Sequence, residues 1–150
     1  MAGTHIAHDA TVGSRCTIVN NVKVGGYAKV GDNVFISANS IIFPKVLVGD
    51  YANVSTATEV RSHVPPFSLA AQRSDGVRLV GINIMGLRSC GFEEDTVTEL
   101  KNAYRDIFRH QKNPILVRSL YGKTEVATMI DFVERIGIQN ILPARRPTSK

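Results

Sequence analysis

Aliphatic β-branched residues recur along the first part of the chain with a constant step of six. The unbroken series consists of Ile6, Val12, Ile18, Val24, Val30, Ile36, Ile42, Val48, Val54 and Val60. A small or medium side chain lies four positions after each of the first nine, at Ala10, Cys16, Val22, Ala28, Val34, Ser40, Val46, Ala52 and Thr58. This hexapeptide repeat is typical of a left-handed parallel β-helix, whose short strands turn one aliphatic and one small side chain into a triangular prism. An antiparallel sheet would need a period of two instead.

The repeat also predicts the size of the prism. Three hexads make one coil of eighteen residues, so residues 6–59 predict about three coils, stacked at a strand spacing of about 4.8 Å. We assign residues 1–62 to this β-helix. Nothing before His5 could cap the strand edges of the first coil, so we expect further coils or another partner to pair with that edge. Glycines directly after the aliphatic position are expected to relax the corners, at Gly13, Gly25, Gly31 and Gly49.

The periodicity stops after Val60. Residues 63–92 show neither hexad nor helical spacing and are predicted to form an ordered connector packed on the prism. Residues 93–150 form the predicted C-terminal helical domain, which should cover the lower end or a flank of the prism. Its first helix is expected to end at Pro114 and its second near Gly137. The apolar faces of these helices are Val97, Leu100, Ala103, Tyr104, Ile107 and Phe108, then Val126, Met129, Ile130, Val133 and Ile136.

Composition narrows the class of protein further. A length of 150 residues with 43% hydrophobic positions suits one compact domain, with at most an appendage. No stretch approaches the roughly 20 apolar residues of a membrane span, and the N-terminus lacks a signal-peptide layout, so we expect a cytoplasmic protein without stable membrane insertion. Two distant cysteines, Cys16 at an inward hexad position and Cys90, exclude a disulfide scaffold. The net charge of +5 includes no basic runs interleaved with aromatics, which argues against a nucleic-acid partner.

A histidine and an aspartate open the first coil, in the run THIAHD. Because Ile6 faces inward, His8 lies two residues later on an outer face and Asp9 follows towards the corner. One coil is eighteen residues, so Gly26 should lie over His8 and Tyr27 over Asp9, about 4.8 Å along the stack. A neutral histidine can remove a proton from a hydroxyl, and a bare glycine lets a ligand approach a backbone N–H that stabilises an oxyanion. The spacing suits acyl transfer to an alcohol.

Two other interpretations of His5 and His8 stay open from the spacing alone. The pair could be surface histidines in a polar corner, or it could bind zinc across a subunit interface. A third metal ligand on the prism is not evident, because His63 lies at the far end and His110 on a helix. We therefore predict no metal site and no cofactor.

Four segments together resemble a known family. They are HIAHDATVGSRCTIVNNVKVGGYAKVGD, HVPPF, GINIMGLRSCGF and LKNAYRDIF. These segments are similar to the C-terminal half of the acyl-carrier-protein-dependent UDP-N-acetylglucosamine O-acyltransferases, which perform the first step of lipid A synthesis. The resemblance spans the chain from His5 to about Phe108. It implies a homotrimer with active sites between neighbouring prisms, an acyl carrier protein as acyl donor and a UDP-sugar as acceptor.

The resemblance also implies roles for individual residues. His8 takes the position of the catalytic base, which removes the proton from the 3-hydroxyl of the glucosamine unit as it attacks the acyl thioester. Asp9 would orient or polarise His8, and Gly26 would supply the N–H that faces the thioester oxygen. The positions that would contact the nucleotide sugar are His5, Asn83 and Arg88.

Several positions depart from the family pattern where it contacts substrate. A tyrosine replaces the histidine after the glycine pair, and Phe-Pro replaces His-Gln on the third coil. In the GIN segment, methionine replaces an acidic residue, and Arg88 is followed by residues that lack the family's further basic charges. The changed positions are Tyr27, Phe43, Pro44, Met85, Ser89 and Cys90.

Three functional interpretations follow. The leading one is an O-acyltransferase of the lipid A type; the others are a non-catalytic trimeric hexapeptide scaffold and a hexapeptide acyltransferase with a different acceptor. The family's N-terminal coils have no counterpart here, so we expect Met1 to be an internal start of a longer acyltransferase. A positive surface that includes Arg88, Arg105, Arg109 and the tail, where Arg145, Arg146 and Lys150 lie, would steer the acidic acyl carrier protein.

Overall fold

The computed structural model describes residues 1–145, and its first part consists of ten two-residue strands, one for each hexad. Strands eighteen residues apart pair in parallel and in register, as His5 does with Lys23 and Lys23 with Ile41. This pairing creates three faces, with strand orders β1-β4-β7-β10, β2-β5-β8 and β3-β6-β9. The strands are β1 (His5–Ile6), β2 (Thr11–Val12), β3 (Thr17–Ile18), β4 (Lys23–Val24), β5 (Lys29–Val30), β6 (Phe35–Ile36), β7 (Ile41–Ile42), β8 (Leu47–Val48), β9 (Asn53–Val54) and β10 (Glu59–Val60).

The core of the prism contains the residues that the repeat predicts. From Val22 onward, both the aliphatic and the small members of the series are at most 4% exposed. The two polar members are satisfied inside, since the Ser40 hydroxyl donates to the Ser55 carbonyl at 2.8 Å and Thr58 donates to the Thr56 carbonyl at 3.3 Å. In the first coil Ile6 is 47% exposed, because within residues 1–145 no coil stacks on its outer side. The left-handed parallel β-helix is therefore confirmed.

The corners of the prism use non-glycine residues in the left-handed conformation. Their φ angles lie between 53° and 64°, and each N–H from the second coil onward donates to a carbonyl of the coil before it, as Tyr27 does to His8 at 3.2 Å. This hydrogen bond helps to hold a conformation that costs a non-glycine residue roughly 1–2 kcal/mol. The corner residues are Asp9, Arg15, Asn21, Tyr27, Asn33, Asn39, Lys45, Tyr51 and Ala57.

The expectation that the repeat glycines relax the corners is wrong. Gly13, Gly25, Gly31 and Gly49 are not among the residues with positive φ. Each of them instead lies against the backbone or a side chain of the next coil. A Cβ added at Gly25 would lie 2.6 Å from the Pro44 nitrogen, for example, which no real Cβ tolerates. These glycines are required because stacked coils approach closely at this position.

The connector completes a fourth coil, so the β-helix has about four coils where the repeat alone predicted three. Val64 pairs in parallel with Val48 and extends the second face. Strand β11 (Ser68–Arg73) pairs in parallel with β9 on the third face, and β12 (Gly76–Ile82) returns antiparallel beside it. A short helix, α1 (Ile84–Ser89), follows the hairpin. None of these elements carries the hexad spacing, which is why the repeat did not reveal them.

The two predicted amphipathic helices are confirmed, and a third lies between them. Helix α2 (Glu94–Tyr104) continues as a π-helical segment, Arg105–Arg109. Pro114 does not end this helix but begins the next, α3 (Pro114–Leu120), since proline lacks only an N–H that a first turn leaves unpaired. Helix α4 (Thr124–Ile136) stops before Gly137, whose φ is 84°.

The end of the described chain returns to the prism. After a short 3-10 helix, Ile138–Asn140, Ile141 pairs with His63 and Ala144 with Leu79. The tail residues Arg146 and Lys150 lie outside the described residues. Of the helices in residues 1–145, none combines the length and apolar character that crossing a bilayer requires. The division of the chain at residues 62 and 92 into folding units stays a prediction.

We predict that His63 makes the stability of the β-helix depend on pH. Its Nδ1 accepts the Leu47 N–H at 2.9 Å, and burial lowers the pKa of His63 below its ordinary value of 6.5. The unfolded chain therefore binds this proton more readily, and the free energy of unfolding should fall as the pH drops through about 6.5, then level off below the folded-state pKa. Urea unfolding at several pH values measures the effect.

The control is His63→Asn, whose amide oxygen can still accept the Leu47 N–H but does not titrate. This variant should lose less stability than the wild type between about pH 7.5 and pH 5. His63→Ala, which removes the acceptor, should be less stable by about 1 kcal/mol even at neutral pH. Parallel pH curves for the wild type and His63→Asn would contradict the prediction.

Candidate active site

The predicted base and its partner lie on one corner of the prism, between the first two faces. The His8 Nδ1 lies 3.1 Å from Asp9 Oδ2, and both side chains are exposed. Since a carboxylate only accepts hydrogen bonds, the neutral imidazole carries its proton on Nδ1 and keeps a lone pair on Nε2. Asp9 reaches this position because its left-handed corner conformation, with φ of 56°, turns the chain directly after His8. The pair can thus accept a proton at Nε2.

Gly26 lies directly below the imidazole, as the eighteen-residue step predicts. A Cβ added to Gly26 would lie 3.0 Å from both Cε1 and Nε2 of His8, so the reactive edge of the ring lies in the notch that the missing side chain leaves. The Gly26 N–H has no protein acceptor within residues 1–145. At the next corner, by contrast, the equivalent N–H groups of Ser14 and Asp32 donate to aspartate carboxylates at 2.6 and 2.7 Å. The notch therefore combines a base with an unused backbone donor.

The residues below the notch differ in character from the polar ones that the resemblance implied. Tyr27 packs its ring edge-to-face with His8, with centroids 5.3 Å apart and an interplanar angle of 86°. One coil further, the guanidinium of Arg61 lies 4.0 Å over the Phe43 ring and pairs with Glu59 at 2.8 Å. Two aromatic rings therefore occupy this side of the corner, one against His8 and the other beneath the Arg61 guanidinium.

The predicted substrate contacts are not all gathered at this corner. His5 begins β1 on the first face and is exposed, and its N–H donates to the Val22 carbonyl at 2.9 Å. Asn83 is buried and caps α1: its Oδ1 accepts the Gly86 N–H at 3.1 Å and its Nδ2 donates to the Tyr51 carbonyl at 3.0 Å. Both polar atoms of the Asn83 side chain are therefore occupied by the fold.

Arg88 makes a two-pronged ion pair with Glu94. The Nε and one terminal nitrogen of Arg88 lie 2.6 and 3.0 Å from the two carboxylate oxygens. The hydrogen bond from Arg88 holds the pKa of Glu94 below its usual range. Both groups are exposed, so the pair is accessible to a ligand, but a phosphate would have to compete with a carboxylate already in place.

Asn83 lines a groove of about 190 Å³ on the third face, where the chain leaves the second corner. Arg15 and Asn33, which no motif of the sequence indicated, also line this groove, and Arg15 Nε donates to Asn33 Oδ1 at 3.0 Å. Their separation of eighteen positions was the signal that could have identified them. The groove lies on a different corner from His8, so the base corner and the groove are separate within one chain.

The cysteines do not form a nucleophilic site with these groups. The Cys16 thiol points inward and donates to the Gly31 carbonyl at 3.0 Å, and burial raises its pKa. Cys90 is exposed at the end of α1. Among residues 1–145, no three His, Cys, Asp or Glu side chains cluster as metal ligands would.

The repeat, the register and the corner site define a hexapeptide-repeat β-helix protein. Residues 63–139 match the sequence profile described as UDP N-acetylglucosamine O-acyltransferase, domain 2. The chain belongs to this family, and the resemblance to its C-terminal half is confirmed.

Individual relatives agree with this assignment. The acyl-(acyl-carrier-protein):UDP-N-acetylglucosamine O-acyltransferase of Stenotrophomonas maltophilia is 32% identical over 139 residues, which cover 89% of this chain and 52% of the relative. The solved structure of LpxA from Acinetobacter baumannii superposes with a TM-score of 0.79 at 30% identity, over 88% of this chain and 53% of that one. UDP-N-acetylglucosamine O-acyltransferase (LpxA) from Moraxella catarrhalis gives 0.80 at 28% identity, over 88% and 52%. The chain thus spans about half the length of these relatives.

We predict that Gly26→Ala moves the His8 ring while leaving the β-helix intact. The new Cβ would lie 3.0 Å from an exposed imidazole, which can rotate away. We therefore expect a loss of less than about 1 kcal/mol in urea unfolding, together with a changed His8 Cε1–Hε1 signal in an NMR spectrum.

The matched control is Gly25→Ala, one residue earlier. Its Cβ would lie 2.6 Å from the backbone nitrogen of Pro44, which cannot move without breaking the stack. This variant should lose roughly 1–3 kcal/mol of stability. Equal losses in both variants, with an unchanged His8 signal in Gly26→Ala, would show that the notch is not where the imidazole lies.

Proposed function

We propose that this chain provides the catalytic half of an O-acyltransferase site, which moves an acyl chain from acyl carrier protein to the 3-hydroxyl of UDP-N-acetylglucosamine, the first step of lipid A synthesis. One observation carries this proposal: an Asp9-oriented histidine lies against Gly26, whose N–H has no acceptor within residues 1–145. Membership of the family supports the substrate classes.

The geometry supports a general-base mechanism of acyl transfer. His8 Nε2 takes the proton of the acceptor hydroxyl while the hydroxyl oxygen forms a bond to the thioester carbonyl carbon. The carbonyl oxygen becomes an oxyanion, which the Gly26 N–H stabilises as a preorganised donor. The C–S bond then breaks, and the departing sulfur takes the proton back from the imidazolium. The products are the ester and the free thiol of the carrier, and His8 returns to its neutral state with Asp9 still at Nδ1.

The separation of the His8 corner from the Asn83 groove supports a homotrimeric assembly. In one chain the base corner and the Asn83 groove lie on different corners of the prism. A neighbouring prism that presented its groove to this base would bring both onto one nucleotide sugar. Exposure of His8, at 73% of its side chain, is also consistent with a cleft that a second subunit completes.

A second candidate is a hexapeptide acyltransferase with a different acceptor. The rings of Tyr27 and Phe43 favour it, because both stand where the resemblance implied imidazole groups, one against His8 and one beneath Arg61. The occupied amide of Asn83 and the carboxylate-paired Arg88 point in the same direction. A non-catalytic trimeric scaffold would keep the prism but show no transfer to any acceptor.

We predict that His8→Ala lowers the rate of acyl transfer by about 10²–10⁴-fold, because the attacking hydroxyl loses its general base. Asp9→Asn should lower the rate less, since it leaves Nε2 in place but weakens the orientation of the ring. The assay is transfer from a panel of acyl-carrier-protein thioesters to UDP-N-acetylglucosamine and to related sugars, with folded, size-checked protein. His110→Ala, a histidine on the helical part, should keep full activity. Equal activity in His8→Ala and the wild type would refute the mechanism.

We also predict that Arg105 and Arg109 attract the acyl carrier protein. Both are exposed on one π-helical segment, and neither forms an ion pair within residues 1–145, whereas Lys112 is paired with Asp106 at 2.9 Å. Arg105→Glu together with Arg109→Glu should raise KM for acyl-carrier-protein thioesters, and the wild-type KM should rise with salt. The double variant should transfer an acyl group from a small acyl-pantetheine thioester at the wild-type rate. A wild-type KM independent of salt would contradict this assignment.

A further inference from the structure

Tyr27 contacts the candidate base through its aromatic ring. Its ring lies 5.3 Å from the imidazole, centroid to centroid, at an interplanar angle of 86°. The Tyr27 N–H also donates to the His8 carbonyl at 3.2 Å, so the backbone holds the two residues in the same register as their rings. Edge-to-face packing at this separation is a favourable aromatic geometry.

His8 needs such support because the prism itself gives its side chain little. The imidazole is 73% exposed and has one polar contact, with an aspartate that is 60% exposed. The ring lies against Gly26, which has no side chain to contact it. An exposed histidine held by one such hydrogen bond would populate several rotamers, and most of them would turn Nε2 away from Gly26.

We propose that Tyr27 is a positioning residue, which holds the His8 imidazole over the Gly26 notch through its ring. The inference deepens the proposed function and rests on it. The same corner position one coil further is occupied by Lys45, with φ of 64°, which has no ring to offer. Tyr27 itself is 54% exposed, and contact with His8 gives this exposed aromatic side chain a defined partner.

The first test observes the ring directly and does not require activity. The His8 Cε1–Hε1 signal, assigned by its loss in His8→Ala, is compared between the wild type, Tyr27→Phe and Tyr27→Ala. Removal of the ring should shift this signal, because the ring current disappears and the imidazole samples more rotamers. Tyr27→Phe keeps the ring and should reproduce the wild-type position. Ala57 shows that alanine is accepted at a left-handed corner of this prism, so Tyr27→Ala should fold.

The second test measures acyl transfer. Tyr27→Ala should lower kcat about tenfold with KM within about twofold of the wild type, because a misplaced base slows the chemical step without removing a substrate contact. Tyr27→Phe should restore kcat. Lys45→Ala, the matched corner variant, should change neither kcat nor the His8 signal.

The outcomes separate the inference from the proposed function. If the wild type transfers no acyl group but the His8 signal still shifts in Tyr27→Ala, the contact stands and the acyltransferase proposal fails. An unchanged His8 signal and an unchanged kcat in Tyr27→Ala would overturn the positioning role. A rise in KM at constant kcat would overturn it as well, since it would make Tyr27 a substrate contact.

Discussion

The β-helix and its candidate site depend on the hydrogen bonds that join each coil to the next, eighteen residues along the chain. The N–H of His5 donates to the Val22 carbonyl, and that of Lys23 to Ser40, at 2.9 and 3.0 Å. These bonds stack residues that are eighteen positions apart, whatever their chemistry. The position of a residue in the sequence therefore determines which residue of the next coil it contacts. They also stabilise the corners, where non-glycine residues adopt positive φ, because each corner N–H from the second coil onward has an acceptor in the coil before it. The repeat thus determines the core, the corners and the candidate site together.

The predictable part of the fold is the part that repeats. Inward positions, parallel pairing and the stacking of Gly26 on His8 all follow from a period of six, and the structure agrees with each of them. The fourth coil was not predictable in this way, because Val64 and β11 join the faces through irregular spacing. The role of the glycines was misjudged for a related reason: steric contact between coils depends on a distance across the stack, whereas the sequence pattern reports only positions along it. Pro114 was ambiguous in principle, since proline is compatible with the end of one helix and the first turn of another.

The candidate site also contains residues that the repeat predicts and residues that it does not. The corner of His8, Asp9 and Gly26 was predictable because all three belong to the repeat. The contacts of Asn83 and Arg88 within the protein were not, because their partners come from elements outside it: the carbonyl of Tyr51 and the carboxylate of Glu94. A residue type in a motif indicates what a side chain can do. Whether its polar atoms are free depends on neighbours that only the three-dimensional structure identifies.

An open corner is a poor place for acyl transfer in a single chain. Charge that develops on an oxyanion is stabilised strongly only where water is excluded, and the imidazole of His8 is mostly exposed. A triangular prism cannot enclose a ligand at its own convex corner, because its faces lead away from the corner on both sides. Enclosure has to come from a second surface, and the groove beside Asn83 offers one that the same chain cannot bring to its own His8. The geometry of the β-helix therefore links catalysis to assembly: under the proposed function, a monomer would hold the base, the oxyanion donor and the aromatic support of Tyr27 in place, yet lack the wall that makes them effective.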